Sequence, residues 1–164
     1  MILKLISAPA VEPLTVLEAK EFLRVDGSDE DAQIGLLIVT AREFCEAPGT
    51  NRAFITQIWE LSFDNFPDMP LKLPRPPLQS VESIAIKDKD GVITTLDPSD
   101  YVVDSDSEPG RIAFAAGKSL PSVELWPLSA VKIRFKAGYG DTADKVPEKI
   151  IVLPRAVNII PHVI

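Results

Sequence analysis

The sequence predicts an α+β fold: an N-terminal helical pair, then a region of short antiparallel β-strands, with an irregular C-terminal tail. Three observations predict it. Between Thr15 and Ala47 apolar residues recur every three or four positions, the helical period. From Phe54 to Ala137 the period falls to two, as strands require. Fifteen prolines in 164 residues sit mostly between these segments, where they stiffen turns. A single domain is expected over residues 1–146, with helices at about 15–47, a β-rich region at about 54–137, and residues 147–164 as an atypical tail.

Thr15-Val16-Leu17-Glu18 is a capping box preceded by Leu14 as a hydrophobic staple. Val16, Ala19, Phe22 and Leu23 form the apolar face of the helix that follows, and Gly27 is its expected left-handed stop. Ser28 is the expected N-cap of a second helix, with Asp29, Glu30 and Asp31 in its first turn. Carboxylates there meet the positive end of the macrodipole, each contributing roughly 0.3–1 kcal/mol. Ile34, Leu37, Ile38, Ala41, Phe44 and Cys45 define one buried stripe, and Pro48-Gly49 ends the helix.

Ile55, Trp59, Leu61 and Phe63 share one strand face, with Gln57 the polar exception; Thr56, Glu60 and Ser62 take the other. A short strand is expected at 71–73, a Pro-rich corner at 74–77, and a strand at 81–87. Asp90-Gly91 turns the chain into a return strand at 92–96. Further strands are expected at Tyr101–Asp104, Arg111–Phe114 and Ala130–Ala137. In the tail, Pro147 reads as a first helical residue, while Pro154 and Pro161 limit any helix to about two turns.

Composition narrows the function classes. The net charge is −7, unsuited to coating DNA. Residues 1–82 hold 7 basic and 13 acidic side chains and residues 83–164 hold 10 and 11, so a local basic face remains open to the second half. A single cysteine, Cys45, excludes an internal disulfide framework and fits a reducing compartment. No run approaches the ~20 apolar residues of a membrane helix, and a soluble intracellular protein is expected.

Acidic and glycine-rich stretches imitate chemistry without assembling it. The turn Asp26-Gly27-Ser28-Asp29-Glu30-Asp31 puts its glycine second and three carboxylates on consecutive residues. A calcium loop needs alternating ligands and a distal bidentate Glu, so helix capping explains these residues. Asp104–Gly110 comes closer to such a loop, yet Pro109 stands where its glycine belongs and Ala115 where its closing Glu belongs. Gly117-Lys118-Ser119 ends like a P-loop, but Ile112 occupies the required first glycine and Pro121 forbids the helix. The sole histidine, His162, lies in the tail, and Cys45 lies on the apolar stripe. No nucleophile, base, metal or cofactor site is expected, and hence no enzyme. Lys132, Arg134 and Lys136 alternate with Val131, Ile133, Phe135 and Ala137, an ordinary half-buried strand or a face for phosphates or an acidic partner.

The order of these elements resembles the head-tail connector (adaptor) proteins of bacteriophages and prophages. The resemblance rests on LTVLEAKEFLRVD, GSDEDAQIGLLIVTAREFCE, ITQIWELSFDNFP, LPRPPLQSVESIAIKDKDG and FKAGYGD…VPEKI, over roughly residues 10–150. It implies a structural virion assembly protein that forms a ring oligomer on the portal, docks the tail or a stopper, and lets DNA pass without sequence-specific binding. The host cytoplasm during assembly, then the head-tail junction, is the implied location. Ring packing through the early helices would use Ile34, Leu37, Ile38 and Ala41. Family members continue into an Ala-rich helical segment where this chain has IIVLPRAVNIIPHVI, a departure that touches ring formation and tail docking. The alternative is a small nucleic-acid-binding module using Lys132, Arg134 and Lys136.

Overall fold

A computed structural model describes residues 1–147; apart from Pro147, the tail read from the sequence lies outside the described residues. The chain divides into two compact units.

The first unit holds Met1–Ala8 and Gln57–Gly138. A five-stranded antiparallel sheet runs in the order β1 (Ile2–Ser7), β2 (Gln57–Phe63), β8 (Val131–Ala137), β4 (Leu78–Lys87), β5 (Ile93–Thr95). A three-stranded sheet orders β3 (Leu71–Lys72), β7 (Arg111–Phe114) and β6 (Tyr101–Asp104). The central strand β8 shows why the period is two: Val131, Ile133, Phe135 and Ala137 are buried while Lys132 is exposed and Arg134 and Lys136 are half-buried. Cross-strand register carries this inward face across the sheet. Leu61 lies opposite Ile133, which faces Ile84; Gln57 lies opposite Ala137, which faces Leu78. Gln57, the polar exception in the pattern, is buried on that face. Gly110 lets the second sheet come close, because a Cβ there would stand 2.5 Å from the Leu78 Cβ.

The strands fall where the alternation put them, with one addition. β1 pairs antiparallel with β2, although Ile2–Ser7 carries no alternation of its own. As an edge strand it exposes Ile2, Leu5 and Ile6 and half-buries Leu3, so apolar residues occur on both its faces.

The second unit holds Pro9–Thr56 and the chain from Tyr139 onward. Helix α1 (Val16–Leu23) starts at the capping box: the Thr15 hydroxyl accepts from the Glu18 amide at 3.2 Å and Glu18 accepts from the Thr15 amide at 2.8 Å. It ends at Arg24 in the left-handed conformation (φ 58°), three residues before the glycine expected to stop it. Gly27 takes its own left-handed geometry in the turn beyond. Ser28 is not the cap of the second helix. Its carbonyl accepts from the Asp31 amide, closing a turn, and α2 (Asp31–Phe44) starts later, with Glu30 at its N-cap making no side-chain bond. The Lys20 ammonium organises this region, donating to the Gly27 carbonyl and to Asp31 Oδ1.

The phase of α2 also differs from the expected stripe. Ile34 is buried and Ile38, Ala41 and Cys45 are half-buried, but Leu37 and Phe44 are exposed. The reason is Arg42, which takes the inward position at 7% exposure. Its Nε donates to Glu12 at 2.7 Å and its Nη1 to Glu46 at 2.8 Å. Glu46, itself buried, accepts the Phe54 amide with its other oxygen at 2.7 Å. Burial opposes the guanidinium charge, but the hydrogen bond to Glu12 and the nearby Glu46 carboxylate outweigh it and hold the pKa above its ordinary value. Glu46 lies in a π-helical segment, Cys45–Thr50, that continues α2. Phe54, Ile55 and Val146 form the adjoining core, with Cys45 and Tyr139 packed on it. The Tyr139 amide donates to the Phe54 carbonyl, and the Thr56 amide to that of Gly140.

Truncating Arg42→Ala leaves Glu46 charged and buried and should cost roughly 3–5 kcal/mol in urea unfolding. Glu43→Ala, which breaks only an outer 3.7 Å contact to Arg42, should cost under about 1 kcal/mol.

Candidate functional site

Two surfaces present groups that the fold itself does not consume. The first lies on the helical pair. Leu36 (67% exposed), Leu37 and Phe44 (57%) project outward from α2, and Leu17 and Phe22 are exposed on α1. Leu36, Thr40 and Phe44 are spaced by four, so they form one line along α2. Of the four interface residues expected from the sequence, Leu37 alone is exposed; Ile34 is buried and Ile38 and Ala41 are half-buried. Leu36 lies off the apolar stripe that the sequence pattern defines. Phe44 was placed inside that stripe, and only the inward turn of Arg42 shows that it faces outward.

The second surface is the outer face of the five-stranded sheet. Lys132, Arg134 and Lys136 do share it, on the central strand, yet Glu60 lies opposite Arg134 on β2. Arg134 donates from Nη2 to Glu60 Oε2 at 3.0 Å, and the Lys132 ammonium lies 3.4 Å from Glu60 Oε1. Burial raises the Glu60 pKa, but the hydrogen bond from Arg134 and the charge of Lys132 prevail and hold it below the usual carboxylate range. Glu60 was placed on this face by the alternation, and its register opposite Arg134 comes from the strand pairing. One carboxylate thus draws on two of the three cations, and a phosphate would have to compete with it.

The sequences that imitated metal and phosphate loops have structural employment. Asp104 accepts from the Ser107 hydroxyl and amide at 2.7 and 3.1 Å, and from Arg111 Nε at 2.7 Å. Lys118 is engaged with Asp100 at 2.7 Å, and Gly117 takes a left-handed φ of +77° in its turn. Among the described residues no three His, Cys, Asp or Glu side chains gather to hold a metal ion, and no helix is long and apolar enough to cross a membrane.

The bonds from Ser107 first, and then Arg111, bring the Asp104 pKa down to about 2. A depressed folded-state pKa stabilises above the unfolded value near ~4, and that contribution disappears as pH falls toward 2. An NMR titration of the Asp104 carboxyl should have its midpoint at about 2; Arg111→Ala should raise it.

No protein-family model matches the sequence, and no curated protein sequence is detectably similar to it. Solved structures are more informative. Three chains, each 22% identical in sequence, match 99% of this one. One is from the neck of an empty GTA particle computed with C6 symmetry, at a TM-score of 0.78 over 86% of that chain. The second is from the virion of a native gene transfer agent (GTA) particle, at 0.75 over 87%. The third is from the neck of a native GTA particle computed with C12 symmetry, at 0.70 over 85%. The fold is therefore one found in the necks of phage-like particles, and its helical pair followed by antiparallel sheets agrees with the connector resemblance.

Proposed function

We propose that this chain is a non-enzymatic structural subunit of a phage-like neck: a head-tail connector that forms a ring on the portal and docks the tail or a stopper. The observation that carries this reading is the fold likeness to neck chains, which extends over 99% of the chain. The exposed apolar residues Leu36, Leu37 and Phe44 support it, because a ring subunit needs an apolar surface that its monomer leaves uncovered. We assign these residues of α2 to packing between subunits, with Ile34, Ile38 and Ala41 on the less exposed part of the same helix. The net charge of −7 suits a channel that DNA must traverse without being held. The pairing of Glu60 with Lys132 and Arg134 disfavours the nucleic-acid-binding alternative.

Light scattering across a concentration series, with negative-stain microscopy, should show rings of more than two subunits. Phe44→Ser should weaken assembly by roughly thirtyfold, the ~2 kcal/mol of a buried aromatic anchor, without changing the circular dichroism spectrum. A persistent monomer that binds duplex DNA with a steep salt dependence would sink the reading.

A further inference from the structure

The five-stranded sheet has two open edges. Among the described residues, no strand pairs with the outer side of β1 or of β5. Both edges are apolar and exposed: Ile2 at 61% on β1, and Val92 and Ile93 at 58% and 67% at the start of β5. All three residues of β5 are exposed. Open apolar edges invite another strand, and proteins usually blunt them with charge, proline or a covering segment. Here Lys4 is the one charge on β1, and β5 itself carries none.

The two edges also differ in charge. Residues 1–11 contain Lys4 and no acidic residue, whereas residues 88–100 contain Asp88, Asp90 and Asp97 against Lys89, besides Asp100, which is paired with Lys118. A like pair of edges would bring like charges together; unlike edges match. Topology adds a direction. Every neighbouring pair in β1-β2-β8-β4-β5 is antiparallel, and with five strands the first and last run the same way. A β5 edge laid against the β1 edge of an identically oriented neighbour therefore makes a parallel pair. Two β1 edges meeting about a twofold axis would make an antiparallel one. Ile93 lies in register with Lys87, and Ile2 with Ser62, so both sit on the outer, Lys132 side of the sheet and would meet there.

We infer that β5 of one copy adds to β1 of the next as a parallel strand, joining the sheets of successive copies head to tail. Such an interface uses two different patches and closes into a ring when the rotation between copies divides the circle. Only the closure rests on the neck reading; the edge pairing stands on the sheet itself.

Oxidative crosslinking of the full chain tests it, with the double variants Ile2→Cys/Ile93→Cys and Lys4→Cys/Ile93→Cys. The expected result is a ladder of covalent dimers, trimers and higher species from a double variant, absent from each single variant. Ile93→Lys, at an exposed edge position, should weaken self-association at least tenfold while leaving the thermal unfolding curve in place. Dimers from Ile2→Cys alone would show twofold β1–β1 pairing and overturn the proposal. So would rings seen by microscopy without any ladder, an outcome that leaves the neck reading intact. A ladder accompanied by open filaments supports the edge pairing and counts against the neck ring. A chain that is monomeric throughout and gives no ladder overturns both.

Discussion

Arg42 is the hinge of the helical unit. A guanidinium at 7% exposure can remain there only if its charge and donors are satisfied, and two of its nitrogens engage Glu12 and Glu46. Those partners come from different parts of the chain: the approach to α1 and the π-helical segment after α2. Glu46 then extends the tie to the Phe54 amide, where the core of Phe54, Ile55 and Val146 begins. One side chain thus determines the roll of α2, and with it which apolar residues point away. The outward exposure of Leu37 and Phe44 goes with an inward arginine.

The sheet unit is organised by a different constraint. β8 is its central strand, hydrogen-bonded on both sides, so its alternation has to agree with β2 and β4 together. A slip of one residue on either side would drive Lys132, Arg134 and Lys136 into the core. The pairing of Glu60 with Lys132 and Arg134 provides a further electrostatic preference for the observed register. The outward placement of the basic row and the buried row of β8 thus depend on the same register.

How much of this was legible in the sequence depended on whether local pattern and tertiary environment agreed. Tyr101–Asp104 and Arg111–Phe114 match the expected bounds because short runs rich in β-branched and aromatic residues lie between turns rich in Pro, Gly and Asp. β1 escaped because an edge strand need not alternate: Ile2, Leu3, Leu5 and Ile6 are apolar on both faces. The early stop of α1 was hidden too, since nothing in Arg24 announces a left-handed residue with glycine three positions on. Most instructive is α2. The apolar stripe was drawn without Arg42, and Arg42 and Glu46 are buried as a pair in its place. The buried stripe expected for α2 therefore included Leu37 and Phe44, which the structure leaves exposed. By contrast, the acidic turns were dismissed on spacing alone, and the structure gives Asp104 and Asp31 hydrogen-bonding duties.

The packing around the π-helical segment also bears on the redox behaviour of the chain. Cys45, the only cysteine in the sequence, is half-buried beside the Phe54 core, and burial first, then the Glu46 carboxylate, raises its thiol pKa above the ordinary value. Oxidation and disulfide exchange proceed through the thiolate, whose population that environment reduces at neutral pH. The same carboxylate that anchors Arg42 therefore also disfavours ionisation of the neighbouring sulfur, the step through which it would be oxidised.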